Sequence, residues 1–204
     1  MNAFTRCVLL LMVALLALST SEALGVIKVT SPLKLFVRDS TQIVRVRVTQ
    51  FIPEKNRLVF DVEQDIKGKF EQRSMPVVWK FEPESKWEGI RTLPRLLKCF
   101  GPDQQAILFI NDEGGFWHNA GNPRKNPIAF GYTNGSWFCL ESTKLDNGKL
   151  QWRLAQGEPY LRTTFKGTTE ELNQVLVDHL AGKGKLPDPV KEEPGFGPEY
   201  QPTK

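Results

Sequence analysis

The stretch QIVRVRVTQFIPEKNRLVFDVEQ, residues 42–64, decides the fold class. Val44, Val46 and Val48 alternate with Arg45, Arg47 and Thr49, a period-two pattern that predicts a strand with one buried face. Leu58, Phe60 and Val62 repeat the pattern, with Arg57, Asp61 and Glu63 on the opposite face. Between the two runs stands PEKN, residues 53–56, whose proline and asparagine suit a tight reversal. Two long alternating strands joined by a turn predict a β-rich domain built from hairpins.

The rest of the domain follows outward from this hairpin. IKGKF ends the second strand at Gly68, and MPVVWKF, residues 75–81, reads as a third. Ile90, Leu93, Leu96, Leu97 and Phe100 recur at helical spacing. Pro94 belongs in a first helical turn, so a helix is predicted over residues 93–99, stopped by Gly101-Pro102. QAILFIN, residues 105–111, is a fourth strand. In GYTNGSWFCLES, residues 131–142, Asn134-Gly135 is the strongest short signal for a type I′ hairpin turn. A two-residue loop sets Thr133 opposite Ser136, Tyr132 opposite Trp137, Gly131 opposite Phe138 and Phe130 opposite Cys139. Phe138 then fills the space left by a strand glycine, and Tyr132 with Trp137 forms a cross-strand aromatic pair worth ~0.2–1 kcal/mol. GKLQWRLA, residues 148–155, continues as a strand. A C-terminal helix begins at Thr168, with Glu171 at capping-box spacing. Its apolar stripe is Leu172, Val175, Leu176 and Leu180, and Gly182 sits at the C-cap. The expected fold is mainly β with two helices: an OB-like barrel in the order strand-strand-strand-helix-strand-strand, plus the C-terminal helix. An open α+β sheet is the alternative.

The ends read differently. MNAFTRCVLLLMVALLALSTSEALG has one early charge, Arg6, then an apolar run from Cys7 to Leu18 that is too short to span a bilayer. Ser21-Glu22-Ala23 supplies a small-x-small cleavage pattern, so residues 1–23 are expected to be an export signal, with a cut after Gly25 as an alternative and an uncleaved anchor as the competing reading. A single OB-like domain is expected over residues 26–181. The tail, residues 182–204, is rich in proline, glycine and charge and is expected to be disordered. The mature protein is expected outside the cytoplasm, periplasmic or extracellular, with no transmembrane segment after signal removal.

The chain carries 27 Lys and Arg against 23 Asp and Glu, a net charge of +4. Between Val26 and Phe60, Lys28, Lys34, Arg38, Arg45, Arg47, Lys55 and Arg57 are opposed by Asp39 and Glu54. Such a stripe can draw anionic polymers or can be the solvated face of a sheet.

Two stretches carry a resemblance. TQIVRVRVTQFIPEKNRLVFDVEQDIKGKF resembles the first hairpin of netrin-like modules, the OB barrels of tissue metalloprotease inhibitors, where a valine-alternating strand, a turn and a strand ending in Lys-Gly recur. The zinc-chelating N-terminal cysteine of those inhibitors has no counterpart, because the mature chain would begin at Leu24 or Val26; inhibition by that route is not implied. FGYTNGSWFCLE and EPYLRTTFKGTTEELNQVLVDHLAGK are similar to segments of uncharacterised exported bacterial proteins, over roughly residues 41–183. That likeness implies export and one domain but no activity.

Chemistry is sparse. Cys99 and Cys139 are the cysteines of the mature chain, and an even pair in an exported protein is expected as a disulfide, worth roughly 3–4 kcal/mol. Free thiols would open a second reading, a cysteine-dependent or thiol-redox enzyme with His118 as base and Asn119 nearby. His179 lies beside the apolar stripe of the last helix. No metal-ligand spacing, phosphate loop or dinucleotide fingerprint occurs, so no metal or cofactor is expected. Glu141 and Glu158 are candidate carboxylates only in a generic sense. Asn134-Gly135-Ser136 is formally a glycosylation sequon. Arg45, Arg47, Trp79, Trp117, Tyr132 and Trp137 are the candidate ligand-binding residues, through charge or stacking. The resulting expectation is an exported, non-catalytic binding or envelope-associated module whose partner is another envelope protein or a glycan. The alternatives are the thiol enzyme and an oligosaccharide or nucleic-acid binder on the OB face, nucleic acid being disfavoured by export.

Overall fold

A computed structural model describes residues 31–80, 93–113, 116 and 126–190. Its elements are α1 (Leu33–Asp39), β1 (Gln42–Ile52), β2 (Arg57–Lys67), β3 (Ser74–Trp79), α2 (Leu93–Leu97), β4 (Gln105–Asn111), β5 (Ile128–Thr133), β6 (Ser136–Lys144), β7 (Leu150–Gly157) and α3 (Thr169–Leu180), with short 3-10 turns at Pro53–Lys55 and Pro159–Thr163. The strands close into a seven-stranded barrel in the order β1-β2-β3-β7-β6-β5-β4. β1, β2 and β3 form one meander, and β4 to β7 form another. Antiparallel β1–β4 and parallel β3–β7 join the two. This is the OB-like architecture, with an extra hairpin lengthening the second meander.

β1 is shared by both meanders, and its alternation explains how. Val44, Val46 and Val48 point inward with Leu58, Phe60, Met75, Val77, Leu108, Phe138, Leu140 and Trp152. Three register shifts between β1 and β2 add the bends that let a long hairpin curl into a barrel wall. α2 plugs one end: Leu93, Leu96 and, just beyond it, Phe100 join the inner core. The helix stops at Leu97, two residues short of the reading from sequence. Asn56 takes a left-handed φ of 49° after the 3-10 turn, which closes the first hairpin.

The expected type I′ hairpin is present, with φ of 40° at Asn134 and 87° at Gly135. The four expected pairings, Thr133–Ser136 through Phe130–Cys139, all occur. Tyr132 and Trp137 pack edge to face with centroids 5.0 Å apart. Thr168 and Glu171 form the full capping box of α3, and Gly182 follows the helix at a φ of 72°. Leu172 and Leu176 are buried, whereas Leu180 is 40% exposed, so the stripe ends earlier than its sequence pattern.

Two expectations change. There are three helices rather than two among the described residues, because LKLFVRD forms α1. Leu33, Phe36 and Val37 supply its buried side, and the basic residues around them masked this three-and-four spacing. The tail expected to be disordered from residue 182 is placed as far as Val190. Leu186 packs against the outer core and Val190 N–H donates to the Thr163 carbonyl at 2.8 Å. Residues 1–23, expected to be an export signal, and residues 191–204 lie outside the described residues. No helix among the described residues is long and apolar enough to cross a membrane.

A second apolar layer wraps one side of the barrel. Outward residues Ile43, Ile107, Phe109, Ile128, Phe130, Tyr132, Trp137 and Cys139, from β1, β4, β5 and β6, pack against α1, α3, Leu161 and Phe165. Phe36 of α1 lies centrally, within 5.2–5.9 Å of the rings of Trp137, Phe130, Phe109 and Phe116. Lys67 clamps the end of α1: its ammonium donates to the Val37 and Ser40 carbonyls at 2.7 and 2.5 Å. Among the described residues, the outer face of β3, β7 and the first half of β2 contributes nothing to this layer and has no helix packed on it.

Candidate functional site

The open face carries a groove of about 840 Å³. Pro76 and Val78 of β3 and Gln151 of β7 line it, with Arg57 from β2. Its rim comes from the β2–β3 loop at Phe70, Glu71, Gln72 and Arg73 and from the β6–β7 loop at Leu145, Gly148 and Lys149. Strand alternation puts these residues outside: Met75, Val77 and Trp79 turn into the barrel, so Ser74, Pro76 and Val78 face out.

The groove exists because β3 and β7 part. Their parallel pairing covers only Val77–Trp79 against Trp152–Leu154. Below that, the amide of Gln72 spans the gap, donating to the carbonyls of Ser74 and Leu150 at 3.2 Å each. Residues two apart in a strand turn their backbone groups to the same side, so Pro76 presents its missing N–H toward this gap. Phe70 closes the floor, edge to face with Trp152 at 6.4 Å.

The charges of the groove divide into spent and unspent. Arg73 makes a forked contact to Asp65 at 2.9 and 2.7 Å. Glu71 lies 3.2 Å from Lys69, and Asp112 accepts from Thr41 and Gln42 at 3.0 and 2.7 Å. The side chains of Arg57 and Lys149 make no ion pair or hydrogen bond among the described residues. Asp61 is in register with Arg47 and does not line the groove.

The candidate residues named from sequence do not gather here. Arg45 and Arg47 both bind Glu63, and Arg45 also reaches Glu170 at 3.2 Å, so the basic stripe ties the barrel to the first turn of α3. Gln105 completes that network by donating to Glu63 at 2.7 Å. Trp79 is buried in the barrel and stacks on Phe51 at 6.0 Å. Tyr132 and Trp137 are buried in the outer layer, and the Tyr132 hydroxyl donates to the Gly167 carbonyl at 2.5 Å. Burial pushes the Tyr132 hydroxyl up to about 12. Trp117 and His118 lie outside the described residues.

The expected disulfide is absent: Cys99 and Cys139 are not bridged. The period of a strand explains why. Ser136, Phe138 and Leu140 turn inward while Trp137 and Cys139 turn outward. Cys99 lies 3.6 Å from the Ser136 hydroxyl, and Cys139 lies in the outer layer, so the sheet separates the two sulfurs. Burial pushes the Cys99 thiol up, with the Ser136 hydroxyl offsetting part of it. A reactive cysteine needs the opposite shift. The sequon is also spent on structure: Asn134 Oδ1 accepts from Thr169 N at 3.0 Å and from Thr169 Oγ1 at 3.2 Å, tying the hairpin to α3. Glu141 binds Arg153, and Glu158 accepts from Gln156 at 2.7 Å. His179 Nδ1 lies 3.2 Å from the Gly184 carbonyl, joining α3 to the tail. No cluster of three or more metal-ligating side chains occurs among the described residues.

The sequence pattern brings in Arg57 through the basic stripe but does not mark Lys149, Pro76 or Val78 as site residues. The usable signal was Pro76 in a strand interior, since a proline there marks an unpaired edge. The fold and groove together define an OB-like barrel with one side wrapped and, among the described residues, one side uncovered. No family model, curated protein or solved structure matches the chain.

Proposed function

We propose that the protein is an exported, non-catalytic binding module whose ligand lies across the outer face of β2, β3 and β7. The observation that carries this reading is the groove on a face of the barrel that, among the described residues, the helices and residues 182–190 leave uncovered. Strands two and three form the usual ligand face of OB barrels, which supports the placement by analogy of fold. The apolar run and cleavage pattern of residues 1–23, with the likeness to exported bacterial proteins, support an envelope location. The non-catalytic reading is supported by the raised Cys99 thiol and by the burial of Cys139 in the outer layer.

The test is photocrosslinking in intact cells. A photoreactive residue replaces Val78 in the groove or, as comparator, exposed Gln174 on α3. Adducts are expected from position 78 and not from position 174. Adducts from neither position, or only from 174, would sink the proposal.

A further inference from the structure

Resting on the reading of this face as a ligand surface, we infer that the groove takes an extended, acidic segment of another polypeptide. Its carboxylates meet Arg57 and Lys149, and its apolar side chains lie on Pro76, Val78 and Leu150.

Charge decides the sign of the ligand. An entering anion finds two exposed cationic side chains, Arg57 and Lys149, that have no partner among the described residues. An entering cation finds Glu71 and Asp112 already committed to Lys69, Thr41 and Gln42. Displacing those partners costs what a new ion pair returns, so the groove favours anions.

The floor decides the chemical class. Sugars and bases are held largely by stacking on exposed aromatic faces. Among the described residues, Phe70 is the aromatic ring that lines this groove, and it is 4% exposed and turned against Trp152. Pro76, Val78 and Leu150 offer half-buried aliphatic surface instead, which suits the apolar side chains of a peptide. The volume is within the range that encloses a ligand of a few residues.

The edge decides the mode of binding. A peptide that adds a strand needs an open row of backbone donors and acceptors. Here Pro76 has no N–H to give, and the Gln72 amide already occupies the Ser74 and Leu150 carbonyls. The same device that stops indiscriminate edge pairing leaves side chains to provide the recognition.

Fluorescence polarisation of the exported protein tests this with three labelled probes: a six-residue peptide of alternating glutamate and leucine, its lysine-for-glutamate counterpart, and oligogalacturonate. The acidic peptide should bind, and more weakly as salt rises. The double variant R57E/K149E should lose about tenfold in affinity for it and gain affinity for the lysine peptide. Both positions are exposed, so an unchanged thermal midpoint checks that the variant folds. Peptide binding indifferent to R57E/K149E overturns the inference. Binding of oligogalacturonate in place of the peptide overturns it too, while keeping the face as a ligand surface. If no probe binds, the inference falls, and the crosslink at position 78 decides separately whether the binding reading survives.

Discussion

Replacing Gly131 by alanine tests the barrel where its packing is tightest. A Cβ at Gly131 would stand 2.1 Å from Cζ, 2.2 Å from Cε2 and 2.6 Å from Cε1 of Phe138. Carbon contacts settle near 3.5–4.0 Å, so the ring must move about 1.4 Å or the strands must part. Phe138 has nowhere to go. It is fully buried, stacked on Phe60 at 6.4 Å and met edge-on by Phe100 at 5.2 Å. Overpacking costs ~1–3 kcal/mol where neighbours can adjust. With two aromatic rings behind it, Gly131→Ala should cost about 3 kcal/mol or more. In a domain of this size that is about 6–12 °C in Tm. Phe138→Leu deletes the three clashing atoms and by itself should cost ~1–3 kcal/mol as a cavity. The double variant should then be more stable than the sum of the singles by at least ~1.5 kcal/mol, a coupling typical of residues in contact. Urea unfolding followed by tryptophan fluorescence gives all four corners of the cycle. A Gly131→Ala cost under about 1 kcal/mol, or a strictly additive double variant, would refute the claim that Phe138 occupies the glycine's missing side chain.

Other residues make sharp predictions of their own. Tyr132 is neutral in the fold up to about pH 12 against an ordinary value of 10.0, so its contribution is whole below pH 10 and lost as pH rises through 12. That is on the order of 2–3 kcal/mol, and a Tyr132→Phe variant should lack this alkaline step in denaturation midpoints measured from pH 9 to 12. Peptide mapping after alkylation in denaturant without reductant should find a label on both Cys99 and Cys139; in the native state Cys99 should react slowly and Cys139 slower still, and no label on either would restore the disulfide. Lys67→Met strips two carbonyls at the end of α1 of their donor and should cost about 1–2 kcal/mol, with partial recovery in Lys67→Arg.

Much of this fold is legible along the chain because it rests on local rules. The valine alternation of β1, the Asn134-Gly135 turn with its full register, and the capping box of α3 each depend on residues within a few positions of one another. The two-residue loop even identified Phe138 as the partner of Gly131. Helix α1 was less legible, because its buried side is only Leu33, Phe36 and Val37, and Lys34, Leu35 and Arg38 interleave with them.

The site was not legible, for a physical reason. Burial of an aromatic or pairing of an arginine is settled by what packs against it from elsewhere in the chain. Trp79, Tyr132 and Trp137 read as stacking surfaces until the barrel and the outer layer enclose them. Arg45 and Arg47 read as a ligand stripe until Glu63 and Glu170 arrive from β2 and α3. Cys99 and Cys139 read as a bridge until strand parity sets them on opposite sides of β6. The sequence by itself determined the elements, their turns and the hairpin register. Only the tertiary structure decided which face of the barrel the helices cover, and so which cations beside the groove, Arg57 and Lys149, have no partner among the described residues.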